Sequence, residues 1–255
     1  MCNAYNLEAH LGLIDEELER RLRMRLVLPP GVTPATSNLQ IPQEVFPRRE
    51  GLILRPADRA APAAGLEPAL AHWNLTPFFH KGGLKDWKAS TNNCRSETMA
   101  TAPAFREAYQ RRRCLIPVTS FIEWTGPKGR KTAHANSRAG GGLLFLAGLW
   151  DRCRIEGGAV ESYTMVMQPA EGADFMARFH HRQPVGLEAQ GAAIWLDLAA
   201  DPRTVIAPPP PGALAADPPE PVAALLTRPV TDPLPAPPRR PRPAPLRWRL
   251  RGELG

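Results

Sequence analysis

The stretch of sequence that most influences the expected fold is CLIPVTSFIEW, residues 114–124. It consists mainly of β-branched, aromatic and other apolar residues, a composition typical of a strand that packs against a core. Four shorter runs of the same kind occur at residues 51–55, 143–150, 163–168 and 192–198. The chain is therefore expected to be rich in strands.

Two helices are predicted beside these strands. Between residues 7 and 26, apolar residues recur at steps of three and four, which places them on one face of a helix. These residues are Leu7, Leu11, Ile14, Leu18 and Leu22. Asn6 is the expected cap of this helix, and Pro29 and Pro30 end it. A second helix is expected over residues 104–112.

The balance of these elements indicates the fold class. Strands outnumber helices and do not alternate with them regularly, which argues against a doubly wound parallel sheet. We expect an α+β fold: a single domain with a mainly antiparallel, curved or barrel-like sheet flanked by helices. The chain has 255 residues, of which 43% are hydrophobic and 22% charged, and so it can bury a substantial core.

No part of the sequence indicates a membrane or secreted protein. The longest apolar run, residues 141–150, is about half as long as a membrane-spanning helix. The first residues, MCNAYN, lack the charged and apolar segments of a secretory signal, so we expect a cytosolic protein. The four cysteines show no metal-ligand spacing and are interpreted as free thiols, so neither a metal nor another cofactor is expected.

The net charge of +7 is concentrated near the end of the chain. Six arginines and one glutamate lie within residues 239–255, which leaves only +2 for the rest. From residue 233 the sequence reads PLPAPPRRPRP, which favours an extended, mobile segment. We therefore divide the chain into a domain of residues 1–232 and a Pro/Arg-rich mobile tail of residues 233–255.

A cysteine directly after the initiator methionine has a chemistry that an internal cysteine lacks. If Met1 is removed, Cys2 carries a free α-amine and a thiol on adjacent carbons. An aldehyde condenses with the amine to a Schiff base, and the thiol can then close onto the imine carbon to form a thiazolidine ring. With an ordinary pKa of about 7.7–8.0, roughly a tenth or more of such an amine is neutral and nucleophilic at pH 7. A small residue at position 2 also has a simpler explanation, since it permits excision of the methionine.

Three further candidates are Asn93, Glu123 and His180. Taken singly, each has an ordinary structural explanation: a turn-forming Asn, a solvated Glu and a packed His. Their surroundings give them more weight. Asn93 begins the block NCRSET, Glu123 lies in FIEW, and His180 begins HHRQP.

Together with MCNAY at the start, these blocks resemble the SRAP family, the SOS-response-associated peptidases. Two more blocks are similar to family motifs: WNLTP at residues 73–77 resembles W-G-x-x-P, and AGLW at residues 147–150 resembles the end of F-A-G-L-W. These blocks stand in the family's order, and the resemblance extends from Cys2 to about residue 230. The tail beyond them has no counterpart in the resemblance.

The resemblance implies a sensor of abasic sites in single-stranded DNA that acts in DNA repair and the SOS response. It would be an autopeptidase that removes Met1 and then, through a lyase-like Schiff base, traps the opened sugar on Cys2 as a thiazolidine. By motif position, Asn93 would hold the amine or the opened sugar by hydrogen bonds. Glu123 would shuttle protons at the imine carbon and the amine, and His180 would protonate the sugar oxygen as the ring opens.

The expected partner is single-stranded DNA containing an abasic site, bound by a monomer. By the same resemblance, Arg95 and Arg182 would bind phosphates beside the lesion. The aromatic residues Trp73, Phe78 and Phe79 offer a stacking surface for unpaired bases, worth about 1–3 kcal/mol per base, although core packing is also an ordinary role for them.

The sequence departs from the family pattern at several positions near these residues. Ala4 stands where the family has arginine, Thr119 and Ser120 stand where it has Asp-Gly, and Gln183 stands where it has Met or Arg.

Two other classes of function fit the same residues. One is a thiol peptidase acting on other proteins, with Cys2 as nucleophile, His180 as base and Asn93 as the orienting residue. The other is a non-catalytic nucleic-acid-binding module that uses the basic tail.

Overall fold

The computed structural model describes residues 2–221 except positions 63, 128–129, 157, 173 and 218–219, with only the backbone described at 220–221. Met1, the predicted boundary at residue 232 and the predicted mobile tail 233–255 lie outside the described residues. Within that part of the chain, no helix is long and apolar enough to cross a membrane.

Most of the regular structure consists of strands. In chain order they are β1 Tyr5–Asn6, β2 Glu44–Val45, β3 Glu50–Pro56, β4 Leu66–Trp73, β5 Asn93–Arg95, β6 Arg113–Val118, β7 Ser120–Thr125, β8 Thr132–Arg138, β9 Leu144–Ile155, β10 Gly158–Pro169, β11 Arg182–Pro184, β12 Leu214–Ala216 and β13 Glu220–Pro221.

The helices are short. The α-helices are α1 Leu11–Glu17, α2 Arg106–Arg111 and α3 Ala189–Leu196. A π-helical turn, Leu18–Leu22, continues α1, and the 3₁₀ turns are Leu84–Asp86, Phe175–Arg178 and Pro202–Val205.

Five strands form a closed barrel in the order β10-β4-β3-β6-β9, because β9 also pairs with β10. The pairing is antiparallel except between β4 and β10. Beside the barrel, β5 runs parallel to β10, with Asn93 opposite Met165, and β11 lies antiparallel to β10. A second, antiparallel sheet has the order β2-β1-β7-β8-β12, with β13 also on β8. This architecture confirms the predicted α+β fold with a mainly antiparallel, barrel-like sheet.

The core divides into two main clusters. The larger one packs α1 and α3 against the outside of the barrel and includes Ile14, Phe145 and Trp195. The second contains Cys2 and Tyr5 from the start of the chain together with aromatic and methionine side chains of the barrel strands. Cys2 is therefore fixed in the interior, where the two sheets meet.

The first helix starts later than its periodicity predicted. Helix α1 begins at Leu11 and is capped by His10, whose Nδ1 accepts a hydrogen bond from the Leu13 N–H at 3.2 Å. Asn6, the predicted cap, lies instead in β1. The helical segment ends at Leu22, before Arg23 takes a left-handed conformation with φ 59°. The apolar face itself was predicted correctly, because its residues are buried.

Two strand predictions need correction. The run 114–124 forms two strands, β6 and β7, which are separated at Thr119, where the backbone N–H donates to the Asn6 carbonyl at 2.8 Å. The run 192–198 was predicted as a strand and instead lies largely in helix α3. A short apolar run has no periodicity that distinguishes a buried strand from a buried helix, and here Ala192, Trp195 and Leu196 form one buried helical face. The predicted helix at 104–112 is confirmed as α2.

Candidate active site

Cys2 lies just before β1 and its side chain is fully buried. Its thiol donates a hydrogen bond to the Ala4 carbonyl at 3.2 Å, and the same carbonyl accepts the Ile122 N–H of β7 at 2.9 Å. Burial raises the pKa of the Cys2 thiol far above its ordinary value, and the negative charge of Glu123 raises it further. The thiol is therefore protonated at neutral pH.

Two neighbouring asparagines hold the backbone of Cys2. The Asn93 side chain donates to the Cys2 carbonyl at 2.7 Å, and Asn92 approaches the same oxygen at 3.5 Å. The Asn92 amide also donates to Asn3 Oδ1 at 3.2 Å. Asn93 Oδ1 is buried, and none of the described residues donates a hydrogen bond to it. That oxygen is available to a substrate group that carries a hydrogen-bond donor.

Asn92 is a residue of this site that the sequence analysis missed. Its carbonyl accepts the indole N–H of Trp73 at 2.7 Å, and its Oδ1 accepts the Ser90 hydroxyl at 2.9 Å. These bonds fix the amide that contacts Cys2 and Asn3. The only available signal was the doubling of asparagine directly before the NCRSET block.

Glu123 comes from the second sheet and is 1% exposed. It lies on β7 opposite His134 of β8. Burial raises the pKa of Glu123 to about 7, although the backbone N–H of Trp124 and the charge of Lys131 act in the opposite direction. At neutral pH this carboxyl group can both accept and donate a proton.

His180 follows the 3₁₀ turn Phe175–Arg178, and its backbone N–H donates to the Met176 carbonyl at 2.9 Å. Its Nδ1 accepts the Arg182 backbone N–H at 2.9 Å, so the neutral ring carries its proton on Nε2. Burial lowers the pKa of His180 to about 4, and the positive charge of His181 also lowers it. The two histidine rings stack with centroids 4.2 Å apart.

The fold brings together side chains from four distant parts of the chain. Cys2 contacts Asn93 directly and lies within electrostatic range of Glu123. His180 follows the turn that carries Met176, a member of the same core cluster as Cys2. Phe179, the residue before His180, has its ring 4.8 Å from the ring of His134, the partner of Glu123. A thiol, an amide and a carboxyl group thus lie at the start of β1, and the segment that carries the imidazole packs against the same region.

Trp73 does not belong to a DNA-binding surface, contrary to the sequence prediction. It is fully buried, and its centroid lies 5.1 Å from the Tyr5 ring and 6.5 Å from the Tyr163 ring. Its indole N–H donates a hydrogen bond to the Asn92 carbonyl. Its ring has no face open to a base, so it supports the site from within the core.

Phe78 and Phe79 are exposed, by 50% and 43%. Their rings lie 5.6 Å apart in an edge-to-face arrangement. The Phe78 N–H donates to Asp151 at 2.9 Å, which fixes the loop to β9. Both rings are accessible for stacking, the role predicted for them.

The two predicted phosphate ligands differ in their surroundings. Arg95 is exposed at the end of β5, two residues after Asn93. The Arg182 side chain is only 14% exposed and is paired with Glu97 at 2.7 Å. This hydrogen bond lowers the pKa of Glu97 to about 2, so the pair is ionised at neutral pH. Arg95 can bind a phosphate directly, whereas Arg182 would first have to leave Glu97.

The positions that depart from the family pattern have local roles. The Ala4 carbonyl anchors the Cys2 thiol, and Ser120 accepts a hydrogen bond from the Asn6 amide at 3.2 Å. Gln183 is buried, and its amide donates to Pro169 and to the Asp174 carboxylate, both at 3.1 Å. Gln183 thereby ties β11 to the turn that carries His180.

No group of three or more histidine, cysteine, aspartate or glutamate side chains among the described residues could hold a metal ion. The four cysteines are buried free thiols.

These features define a class: α+β barrel proteins with a buried cysteine next to the amino terminus, set against amide, carboxyl and imidazole side chains. The family model described as SOS response associated peptidase (SRAP) matches residues 1–219. The chain belongs to this family, which confirms the resemblance found in the sequence.

Several curated relatives match about half of the chain. The abasic site processing protein YoaM of Bacillus subtilis is 31% identical over 126 residues, which cover 49% of this chain and 54% of the relative. The abasic site processing protein YMR114C of Saccharomyces cerevisiae is 27% identical over 128 residues, which cover 49% of this chain and 34% of the relative. The abasic site processing protein HMCES of Gallus gallus is 26% identical over 151 residues, which cover 51% of this chain and 45% of the relative. The matches thus span from a third to about half of these relatives' own length.

Solved structures extend the likeness to most of the fold. A crystal structure of a protein from Bordetella bronchiseptica has a TM-score of 0.66 and 25% identity, covering 84% of this chain and 98% of that one. A crystal structure of a protein from Bacteroides thetaiotaomicron has a TM-score of 0.67 and 18% identity, covering 84% of this chain and 90% of that one. This second likeness concerns the fold alone.

Proposed function

We propose that this protein recognises abasic sites in single-stranded DNA and captures them covalently on Cys2, after removing its own Met1. The names of the curated relatives support an abasic site as the target. The observation that carries the proposal is the position of Cys2, which Asn93 holds by its carbonyl beside the buried Glu123. An amine created at Cys2 would lie among groups that can move protons.

The first step is hydrolysis of the Met1–Cys2 peptide bond. It consumes one water, releases methionine and leaves Cys2 with a free α-amine. The amine then adds to the aldehyde carbon of the opened deoxyribose, and loss of one water gives an imine. The thiol sulfur adds to the imine carbon while the thiol proton is transferred, in net terms, to the nitrogen, which closes the thiazolidine.

The protonation states of the site suit these steps. Glu123, with a pKa near 7, can take the proton of the thiol and return it to the nitrogen. His180 is neutral at pH 7 and has its proton on Nε2, from which it can donate a hydrogen bond to the sugar oxygen during ring opening. Asn93 Oδ1 can accept a hydrogen bond from the amine or from a sugar hydroxyl.

Two exposed features suit an unpaired DNA strand. Phe78 and Phe79 present ring faces or edges on which bases can stack. Arg95 offers a guanidinium for a phosphate close to Asn93.

The state of the Cys2 thiol disfavours a thiol peptidase that acts on other proteins. Such an enzyme needs a thiolate as its nucleophile, and its cysteine has a lowered pKa. Here burial raises the pKa of the Cys2 thiol, whereas the proposed capture begins with the amine. The sequence alternative based on the basic tail concerns residues outside those described.

The proposal is tested with a single-stranded oligonucleotide that carries one abasic site. Wild type is expected to lose Met1, as seen by intact mass, and to form an adduct that survives denaturation without borohydride. Cys2→Ser keeps the amine but lacks the sulfur, so its adduct should survive only after borohydride reduction of the imine. Cys153→Ala, which removes a buried thiol elsewhere, should behave as wild type. Absence of a wild-type adduct, or a stable adduct of Cys2→Ser without reduction, would reject the proposal.

A further inference from the structure

Arg178 is held in place by two aromatic rings. Its Cζ lies 4.1 Å from the centroid of the Phe175 ring and 4.8 Å from that of Phe179. The residue is nevertheless exposed. Both distances lie within the range of a cation–π contact, so the two rings restrict the movement of the side chain. The cation is therefore preorganised at the surface.

This cation lies at the edge of the candidate active site. The Phe179 ring is 4.8 Å from the ring of His134, which faces Glu123 across the β7–β8 pair. His134 is itself fixed by a hydrogen bond of 2.7 Å between its Nε2 and the Thr125 hydroxyl. Burial lowers the pKa of His134, and so does the charge of Arg178. Arg178 is therefore linked through Phe179 to His134, the residue opposite Glu123, and lies two residues before His180.

No acidic side chain among the described residues forms an ion pair with Arg178. Asp174, close to it in sequence, accepts instead from the Gln183 amide and from the Glu171 N–H, both at 3.1 Å. Arg182 differs, because Glu97 neutralises it. The positive charge of Arg178 is thus available to an anion.

We propose that Arg178 binds a backbone phosphate of the DNA strand at the edge of the site formed by Glu123 and His180. This inference rests on the proposed function and adds a contact that lies outside the sequence blocks of the family resemblance. Since guanidinium groups match phosphate geometry with two parallel hydrogen bonds, a fixed guanidinium binds phosphate with little further loss of side-chain freedom. The contact is independent of base sequence.

The test measures binding of single-stranded oligonucleotides by the full chain at about 50 and 200 mM salt. Removing one phosphate contact should reduce the slope of log K against log salt by about 0.7. We expect Arg178→Gln to weaken binding about five- to tenfold at low salt and to show this smaller slope. Arg178→Lys keeps the charge and should keep the slope, while it loses part of the affinity because it lacks the planar fork.

The matched control is Arg59→Gln. Arg59 is exposed between β3 and β4, at the end of β4 opposite to Trp73, and should leave affinity and slope unchanged. Equal affinity and slope for Arg178→Gln and wild type would overturn the inference, as would an equal loss in Arg59→Gln. Thermal unfolding of each variant shows whether the fold is retained, and Arg178→Lys decides the matter if the Gln variant unfolds.

The same proteins separate this inference from the proposed function. Adduct formation with the abasic oligonucleotide is measured as a function of DNA concentration. If wild type forms an adduct, Arg178→Gln should require a higher DNA concentration for half of the maximal rate. If wild type forms none, the proposed function fails, whereas the salt dependence of binding to intact single strands still decides whether Arg178 contacts a phosphate.

Discussion

Glu123 has two opposing properties at the scale of a single residue. Its side chain is almost completely buried, which makes its ionised form costly, yet the proposed proton transfers require that it ionise. A pKa near 7 places both forms within reach at neutral pH. A carboxyl group with the ordinary pKa of 4.5 would be ionised throughout and would be a poor proton donor.

Glu123→Gln therefore has a pH-dependent effect on stability. The folded protein binds the Glu123 proton more tightly than the unfolded chain does, so this stabilisation is complete below pH 4.5 and is lost as the pH rises through 7. Glutamine resembles the protonated form at every pH. We expect the variant to match wild type at pH 4 and to be more stable by about 1–3 kcal/mol at pH 8, as measured by urea denaturation. An equal difference at both pH values would contradict this reasoning.

Asn92 is a second single residue on which the position of Cys2 depends. Its amide is bonded to Asn3 and approaches the Cys2 carbonyl, so Asn92→Ala should allow the start of the chain to move. The expected result is an adduct rate about tenfold lower, equivalent to about 1.4 kcal/mol, measured at saturating abasic DNA.

Ser90→Ala is the matched control for Asn92. It removes only the hydroxyl that donates to Asn92 Oδ1 and leaves the amide contacts to Cys2 and Asn3 in place. Its adduct rate should stay within about twofold of wild type. If both variants reduced the rate equally, the loss would reflect the loop as a whole rather than the contact with Cys2.

At the scale of elements, two turns of the second sheet region have different requirements for glycine. Gly126 follows β7 with φ 92°, and a Cβ there would lie 2.7 Å from the Arg130 carbonyl. Gly140 follows β8 with φ 80°, but a Cβ there would meet no atom within 4 Å. The first position requires glycine for both conformation and space, and the second for conformation alone.

Substitution by alanine separates the two requirements. Gly140→Ala should cost about 1 kcal/mol of unfolding free energy, because only the left-handed backbone is strained. Gly126→Ala should cost about 2–4 kcal/mol, because the Arg130 carbonyl must also move. Since β7 carries Glu123, the second variant should also reduce adduct formation. Equal costs, measured by chemical denaturation, would show that the close approach to Arg130 is relieved without strain.

The elements also show which parts of the fold the sequence could predict. The apolar stripe of α1 and the long strand runs were predicted because a periodicity of 3.6 or an extended β-rich run is a local property. The segment 192–198 was predicted wrongly, because the burial of Trp195 depends on the barrel surface that α3 covers. Strand β5 is too short to be recognised alone, and its existence depends on pairing with β10. Tertiary contacts decided these cases.

The same limit applies to the site. Cys2, Asn93, Glu123 and His180 could be selected because they lie in motif blocks, whereas burial and partners come only from the assembled molecule. The sequence gives no sign that Trp73 is enclosed by Tyr5 and Tyr163, or that Arg182 is occupied by Glu97. Such contacts join segments that are far apart in the chain.

At the scale of the whole molecule, a buried hydrogen bond joins the two sheets. The hydroxyl of Tyr5, on β1, is hydrogen-bonded to that of Tyr163, on β10. Gly51 passes so close that a Cβ there would collide with both hydroxyls. Asn93 is carried by a strand beside the barrel and Glu123 by the second sheet, so this contact helps to fix one half of the site relative to the other.

A double-mutant cycle on these tyrosines tests whether their hydrogen bond couples the two sheets. Tyr5→Phe or Tyr163→Phe alone leaves one buried hydroxyl without its partner, which should cost about 1–3 kcal/mol. The double variant removes both hydroxyls, so its cost should be smaller than the sum of the single costs by about 1 kcal/mol or more. Urea denaturation of the four proteins gives the coupling energy directly. Strictly additive costs would mean that the hydroxyls do not stabilise each other, and the relative position of Asn93 and Glu123 would then depend on the packing of Cys2 and Trp73 alone.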